Sequence, residues 1–354
     1  MTQTLAIFLD AYRDLNSRKL FWLAIAISAL VVLVVGALGI NEAGVTVLGF
    51  QFESKFVNTL FFPRDTFYKL IFQSLGINIW LTWLAAILAL ISTASVVPEL
   101  VASGSIDMML SKPITRTRLF LTRWVTGLFF AGIQALVFVT ASFLVIGIRG
   151  GVWEPALFIA VPVVIVFFSY LYCVCALVGL LTRSTVASLL LTLVFWLLVF
   201  GVQKAETFIN GGRIATQLEV AAIERAIDVR LAKNAEADVD KLRKDLAQEQ
   251  ESLRKWSTAY WPAYAVVTVL PKTNETTAWL ERELVSRARF RRPPNEDENM
   301  RFFGSNRVKQ KDFDDAVYDD AESRKNAWWT IGTSVLFEAA ALGACVWIFR
   351  RRDF

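Results

Sequence analysis

The chain has 354 residues, of which 55% are hydrophobic and only 19% charged, and its mean hydropathy is +0.47. This balance excludes a disordered chain, a fibrous repeat and an ordinary soluble globular protein, because soluble domains carry about a quarter charged residues. The absence of histidine excludes Ser-His-Asp triads and histidine-ligated zinc sites. The small net charge of +5 gives no indication of nucleic acid as a partner.

Six apolar segments are long enough to cross a lipid bilayer, since a helix needs about 20 apolar residues to span about 30 Å of hydrocarbon. They cover residues 20–40, 77–97, 119–148, 155–181, 184–202 and 327–349. An amphipathic segment, residues 1–19, precedes the first and is expected to lie at the cytoplasmic membrane surface. The sequence therefore predicts an all-α membrane protein with six transmembrane helices.

The orientation of these helices follows from the lysines and arginines of the short connections, which favour the cytoplasmic side. Four basic clusters fall on one face if every segment crosses once. They are Arg13, Arg18 and Lys19; Lys112, Arg116, Arg118 and Arg123; Arg183; and Arg350, Arg351 and Arg352. The chain is therefore predicted to lie in the cell inner (plasma) membrane with both termini in the cytoplasm. Residues 327–354 comprise the sixth span and the basic cytoplasmic C-terminus. Residues 41–76, 149–154 and 203–326 are predicted outside.

The large extracytoplasmic insertion, residues 203–326, is predicted to be mostly helical. No glycine or proline occurs between Gly212 and Pro262. Apolar residues recur there at helical spacing: Ile223, Ile227, Leu231, Val239, Leu242, Leu246 and Leu253. This pattern indicates either one long helix or two antiparallel helices broken near residues 234–238. The apolar stripe fits a docking arm for an extracytoplasmic partner protein and a stiff spacer equally well.

Three shorter patterns follow within the insertion. Residues 256–270 are aromatic and apolar but too short to span, which predicts an interfacial or re-entrant segment. Residues 276–286 have the pattern of a short amphipathic helix. Residues 287–320 are expected to form a loop.

Sequence motifs of soluble enzymes are missing. There is no G-x-x-x-x-G-K-[ST] phosphate loop, no C-x-x-C, no H-E-x-x-H and no G-x-S-x-G. Cys173 and Cys175 lie within a predicted span and point about 200° apart on a helix, so they are interpreted as packing residues. An intramembrane enzyme would need a paired nucleophile and base, and the spans show none.

The cytoplasmic loop within residues 98–118 carries the most informative pattern. An acid, Glu99, stands at the membrane edge, and a Ser103-Gly104 break follows it. Residues 106–110 then predict one short helical turn with an apolar side, which Lys112-Pro113 ends. Such a turn is suited to contact a soluble partner, although a basic connector that only enforces topology would have a similar composition.

This loop resembles the intracellular loop of type-2 ABC exporter permeases. The similarity lies in Glu99-x4-Gly104-Ser105-Ile106-Asp107-x2-Leu110-Ser111-Lys112-Pro113-Ile114-Thr115-Arg116. Residues 8–19 likewise resemble the interfacial helix that opens such permeases. The resemblance covers the six spans, about two thirds of the chain, whereas the insertion is longer than the family pattern.

The resemblance implies a permease that is not itself an enzyme and binds no cofactor. It implies a second permease, identical or different, and ABC ATPase subunits that carry the ATP and Mg. The loop would be the coupling helix seated in the ATPase, with the residues Glu99, Gly104, Ile106, Asp107, Met109, Leu110, Pro113 and Arg116. The alternative function is a non-transporting membrane receptor or scaffold whose extracytoplasmic helices bind a partner.

One acid, Glu338, lies midway along the sixth predicted span. A charge at that depth costs several kcal/mol unless it is protonated, paired or facing water. The functional interpretation is a site in a pore or at a permease dimer interface. The alternative is a neutral glutamic acid bonded to a neighbouring helix through a threonine or Gln134.

Overall fold

The helices account for nearly all of this computed structural model. It describes the chain except residues 1–8, 10–11, 14–15, 18, 48–49, 54–58, 60–62, 102–114, 233–238, 288–307 and 352–354. The helices are α1 (Lys19–Ala37), α2 (Arg64–Ile71), α3 (Ala86–Thr93), α4 (Val96–Val101), α5 (Arg116–Val145), α6 (Ala160–Thr182), α7 (Thr185–Ala232), α8 (Val239–Val269), α9 (Thr273–Arg287), α10 (Gln310–Arg324) and α11 (Ala327–Arg351). A π-helix, Phe72–Ala85, joins α2 to α3, and shorter turns occupy Ile146–Gly150 and Pro155–Ile159.

Five described helical stretches are long and apolar enough to cross a membrane, and they match predicted spans two to six. They are Thr66–Val101, Arg116–Gly150, Pro155–Thr182, Thr185–Ala232 and Trp328–Arg351. The stretch predicted as the first span is a shorter apolar helix, Phe21–Ala37.

The end of the predicted first span is wrong, because residues 38–40 belong to a β-strand. Strands β1 (Leu38–Asn41), β2 (Gly44–Val47) and β3 (Phe50–Glu53) form an antiparallel sheet in that order. The Asn41 side chain accepts hydrogen bonds from the backbone N–H groups of Ala43 and Gly44 at 3.2 and 3.0 Å, which stabilises the β1–β2 turn. The turn closes at Gly44, whose φ of 148° favours glycine.

The chain divides into two compact units, and the first comprises Met1–Trp196, Glu275–Pro293 and Val335–Phe354. Its described core contains two large hydrophobic clusters. One includes the helix ends that are predicted to face the cytoplasm, with Leu100, Phe120, Leu180 and Phe349 among its buried residues. The other joins the opposite ends, and its members include Tyr68, Phe72, Ile146, Leu157, Leu280 and Leu284.

The second unit comprises Leu197–Asn274 and Pro294–Ser334. Of the two alternatives for the helical insertion, the structure has two antiparallel helices. A Cβ on Gly212 of α7 would lie 2.8 Å from the ring of Trp256 in α8, and Gln203 bonds to Pro271 beyond the far end of α8. At about 1.5 Å per residue, the part of α7 from Gln203 to Ala232 and the whole of α8 are each about 45 Å long. Residues 234–238, where the break between the two helices is predicted, lie outside the described residues.

Two details of the insertion differ from the sequence-based expectation. Trp256 and the aromatic residues after it continue α8 without interruption instead of starting a separate segment. Residues 310–320, expected in a loop, are helical in α10. Asp312 in the first turn of α10 and Arg324 in its last turn both suit the helix dipole.

Candidate functional site

The loop that is predicted to contact an ATPase joins α4 to α5, and only its two ends are described. Gly104, Ile106, Asp107, Met109, Leu110 and Pro113 lie outside the described residues. Glu99 is exposed on α4, and Arg116 is the first residue of α5. The hydroxyl of Thr115 accepts a hydrogen bond from the Arg118 backbone N–H at 3.4 Å, which caps α5.

Both ends of this loop are fixed in the core of the first unit. Leu100 and Phe120, on either side of the loop, are 3% and 0% exposed and belong to the same hydrophobic cluster. On α4, Pro98 packs 3.1 Å from where a Cβ on Gly179 of α6 would lie, so glycine permits the close approach. Glu99 is therefore an exposed carboxylate on an otherwise buried helical turn.

Glu338 contacts a neighbouring helix of the first unit. The Ser169 hydroxyl of α6 donates a 2.8 Å hydrogen bond to Glu338 Oε2. The same hydroxyl lies 2.8 Å from the Val166 carbonyl of its own helix. Glu338 itself is half-buried. Its carboxyl is hydrogen-bonded to a neighbouring helix, as the alternative interpretation expects, but the donor is a serine and not a threonine or Gln134.

Gln134 does not contact Glu338 in the described structure. Its side chain is 5% exposed, and Nε2 has no hydrogen-bond partner among the described residues. Gln134 lines a small cavity together with Ala85, Ala89 and Phe168.

The three cysteines are buried and free of disulfides. In the described part of the chain, no three His, Cys, Asp or Glu side chains are grouped so as to hold a metal ion.

The second unit contains a buried ion pair that sequence analysis missed. Lys325 Nζ, immediately after α10, donates to Glu206 Oε2 of α7 at 2.7 Å, and the two side chains are 5% and 1% exposed. Burial strengthens the attraction between the charges, but removing both from water carries a comparable cost. The pair therefore fixes geometry more surely than it adds stability.

A second ion pair lies two turns further along α7. Arg213 donates to Asp320 Oδ1 of α10 at 2.8 Å, and Asn210 donates to Asp320 Oδ2 at 2.9 Å. Asn210 also accepts from Arg213 at 2.8 Å, so the three side chains form a closed arrangement. We call these residues together with Glu206 and Lys325 the buried charge network.

Tyr260 of α8 completes the surroundings of this network. The guanidinium of Arg213 lies 4.7 Å from the centre of its ring, and the phenol is fully buried with no hydrogen-bond partner among the described residues. Burial raises the pKa of the Tyr260 phenol; the Glu206 and Asp320 carboxylates act in the same direction, while Arg324 and Lys325 oppose it. The phenol therefore stays neutral at physiological pH.

A sequence signal for this network exists in α7. Glu206, Asn210 and Arg213 are spaced i, i+4 and i+7, which places three polar side chains on one helical face directly after an apolar span. Their partners could not be found in this way, because Asp320 and Lys325 are more than 100 residues away in the chain.

A further ion pair joins two loops of the first unit that are predicted to be extracytoplasmic. Lys69 Nζ of α2 lies 3.4 Å from Glu154 Oε2, and the side chains are 6% and 19% exposed. Nearby, the Tyr68 hydroxyl donates to the Leu38 carbonyl at 2.8 Å. Residues 41–76 and 149–154 are thus connected at one end of the first unit.

Comparison with known protein families, characterised proteins and solved structures yields no match to this chain.

Proposed function

We propose that this chain is a permease subunit of an ATP-driven exporter of the ABC type. It crosses the inner (plasma) membrane six times, with both termini in the cytoplasm and residues 203–326 outside. It pairs with a second permease and borrows ATP hydrolysis from separate ATPase subunits, which hold the ATP and Mg. The substrate is left open.

The observation that carries this proposal is the pattern from Glu99 to Arg116 together with its place in the fold. The pattern joins two long apolar helices, and both of its ends are fixed in one hydrophobic cluster. A loop with a rigid base transmits force in both directions, as coupling to an ATPase requires. The apolar residues Ile106, Met109 and Leu110 within this pattern are suited to contact a soluble partner.

The proposed topology has independent support within the first unit. The helix ends grouped by the cluster around Phe120 and Phe349 are the ends assigned to the cytoplasm from the basic residues. The opposite ends meet around Tyr68 and Leu157, where Lys69 contacts Glu154. Packing therefore groups the same helix ends as the basic residues do, and the assignment of one group to the cytoplasm follows from the charges.

The coupling role is tested by changing Ile106 and Leu110 together to aspartate in a tagged chain purified from its native membrane. Two unpaired carboxylates in an apolar contact cost a few kcal/mol. We expect a co-purifying subunit with a phosphate-binding loop for the unchanged chain and its loss for the double variant, with the amount of membrane-inserted chain unchanged. Mass spectrometry of the purified material measures both.

The matched control places two aspartates at Val229 and Leu231, which are 54% and 44% exposed on α7. This control should keep the ATPase subunit. Retention of the ATPase by the Ile106/Leu110 variant would show that the loop is a connector. Purification of the unchanged chain without any such subunit would favour the receptor or scaffold function.

A further inference from the structure

The last part of α8 exposes apolar side chains. Val266 and Val269 are 51% and 72% exposed, and Trp261 is 58% exposed. Earlier on the same helix most exposed positions are charged or polar, as in the Glu251–Lys255 pair, whose side chains are 68% and 75% exposed. The first part of α8 is therefore suited to contact with water, and its last part is suited to contact with an apolar medium.

Contacts with α11 show how far this end of α8 extends along an apolar helix. Tyr264 stacks on Trp329 with ring centres 5.3 Å apart and planes at 9°, and the backbone N–H of Lys272 donates to Ser334 Oγ at 3.0 Å. Trp329 and Ser334 both lie in the apolar stretch Trp328–Arg351. Ser334 is five residues deeper than Trp329, which corresponds to about 7.5 Å along a helix.

The entrance to this apolar stretch is marked by a tryptophan. Trp328 is 87% exposed, the largest value among the exposed large hydrophobic residues of the described chain. Tryptophan is enriched at the boundary between lipid and water. The chain reversal after α8 therefore lies deeper along α11 than this boundary residue.

The backbone of this chain reversal is satisfied by side chains. Gln203 Nε2 donates to the Pro271 carbonyl at 2.7 Å, and Gln203 Oε1 accepts from the Asn274 backbone N–H at 2.9 Å. Lys272 Nζ donates to the Thr268 and Leu270 carbonyls at 2.9 and 3.2 Å, capping the end of α8.

Lys272 itself is fully buried, and its ammonium lies 4.5 Å from the centre of the Trp329 ring. Irregular backbone at membrane depth is tolerated only where protein groups satisfy it, because hydrocarbon offers no hydrogen bonds. The turn after α8 meets that condition. An aqueous turn could leave the same carbonyls to water.

We propose that residues 266–274 form a re-entrant turn in the outer leaflet of the bilayer, with Val266 and Val269 in contact with lipid acyl chains. Lipid is the occupant because the turn is hydrogen-bonded to Ser334 of α11, an apolar helix that exposes Trp328 and Leu336. The inference rests on the proposed placement of α11 across the membrane. It places residues 266–274 of the insertion in the bilayer and not in the aqueous exterior, and it adds a lipid-contacting surface to that of the six spans.

The test uses nitroxide labels on single cysteines in the full chain, purified with its subunits and reconstituted in phosphatidylcholine–phosphatidylglycerol vesicles. Cys173, Cys175 and Cys345 are replaced by alanine; if that background does not fold, they are retained, since they are 0–1% exposed. Labels are placed at Val266 and Val269. The controls are Lys255, on the aqueous part of the same helix, and Leu336, which is 70% exposed on α11.

We expect collision with oxygen to exceed collision with a polar nickel chelate at Val266, Val269 and Leu336, and the reverse at Lys255. Labels at both valines that match Lys255 would overturn the re-entrant turn while leaving the membrane placement intact if Leu336 still reports lipid. A label at Leu336 that also matches Lys255 would overturn both. Labels at the valines that neither reagent reaches would show a protein occupant and would also overturn the proposal.

Discussion

At the scale of single residues, the Glu206–Lys325 ion pair is an interaction of the second unit in which each buried charge depends on the other. Each side chain is almost without solvent contact. When only one member of such a pair is removed, the other stays behind as a buried charge, which commonly costs about 3–5 kcal/mol. Replacing both with uncharged side chains removes the penalty together with the attraction.

We therefore expect Glu206→Gln and Lys325→Met each to lower the free energy of unfolding by about 3 kcal/mol, and the double variant to lose much less than the sum. Thermal unfolding of the purified chain in lipid nanodiscs measures the three values. The matched control is Lys255→Met, which breaks the exposed Glu251–Lys255 pair and should leave the free energy of unfolding nearly unchanged, because water screens the attraction between exposed charges. Additive losses in the double variant would mean that the two side chains do not act as a pair.

Glu338 is the second residue whose chemistry depends on its surroundings. Its one described hydrogen bond comes from Ser169, whose hydroxyl is also shared with a backbone carbonyl. One hydrogen bond from a hydroxyl group offsets little of the free-energy cost of burying an ionised carboxylate within a span. The residue is either neutral or in contact with water or a second permease.

If the ionised form of Glu338 serves transport, Glu338→Gln should reduce transport-coupled ATP hydrolysis and leave assembly intact, because glutamine keeps the shape and the hydrogen bond but removes the charge. Ser169→Ala is the companion variant, since it removes the donor and keeps the carboxyl. ATP hydrolysis by the purified complex in vesicles, together with co-purification of its subunits, measures both effects. Unchanged hydrolysis in both Glu338→Gln and Glu338→Leu would show that the residue has no functional role.

At the scale of elements, periodicity predicted most helices because long apolar or amphipathic runs without glycine or proline leave few alternatives. The stripe on the insertion illustrates how well spacing works. Ile223, Val239 and Leu242 are 0%, 3% and 4% exposed, as an apolar face with a partner should be. Leu231, which is 44% exposed, shows that the stripe weakens toward the end of α7.

The elements that sequence analysis missed depend on information that is not local. Residues 38–40 continue an apolar run and look helical, but Gly39 lies against Thr46 of the next strand, where a side chain would collide. α10 is rich in aspartate, which has a low helix propensity, so its composition resembles that of a loop. Its attachment through Asp320 to Arg213 and Asn210 becomes visible only in three dimensions.

The candidate sites likewise divide into one that the sequence predicts and others that become visible only in the structure. The loop from Glu99 to Arg116 could be found from sequence because its pattern is contiguous. The buried charge network, the Lys69–Glu154 pair and the capping of α8 by Lys272 each join distant parts of the chain or use a charged side chain inside a core. Composition alone would place such charges on the surface.

At the scale of the whole molecule, the proposed topology depends on how many times the chain crosses the membrane. Five described stretches are long enough to cross a membrane, while the first apolar helix, Phe21–Ala37, is shorter. An α-helix of 17 residues is about 26 Å long, which is close to the thickness of the hydrocarbon core. A sixth crossing is therefore consistent with its length, and it is required for both termini to share the cytoplasmic side.

The topology is tested with single cysteines at Ser105, in the coupling loop, and at Ser252, on α8, each in the cysteine-free background described above. An impermeant thiol reagent applied to intact spheroplasts should label Ser252→Cys and leave Ser105→Cys unlabelled, because residues 203–326 are placed outside and the loop inside. After the membrane is made permeable, both variants should be labelled, which controls for accessibility. Labelling of Ser105→Cys but not Ser252→Cys in intact spheroplasts would invert the chain in the membrane, and the loop could then no longer contact a cytoplasmic ATPase. Labelling of both in intact spheroplasts would place the loop outside as well and reduce the number of crossings between α4 and α8.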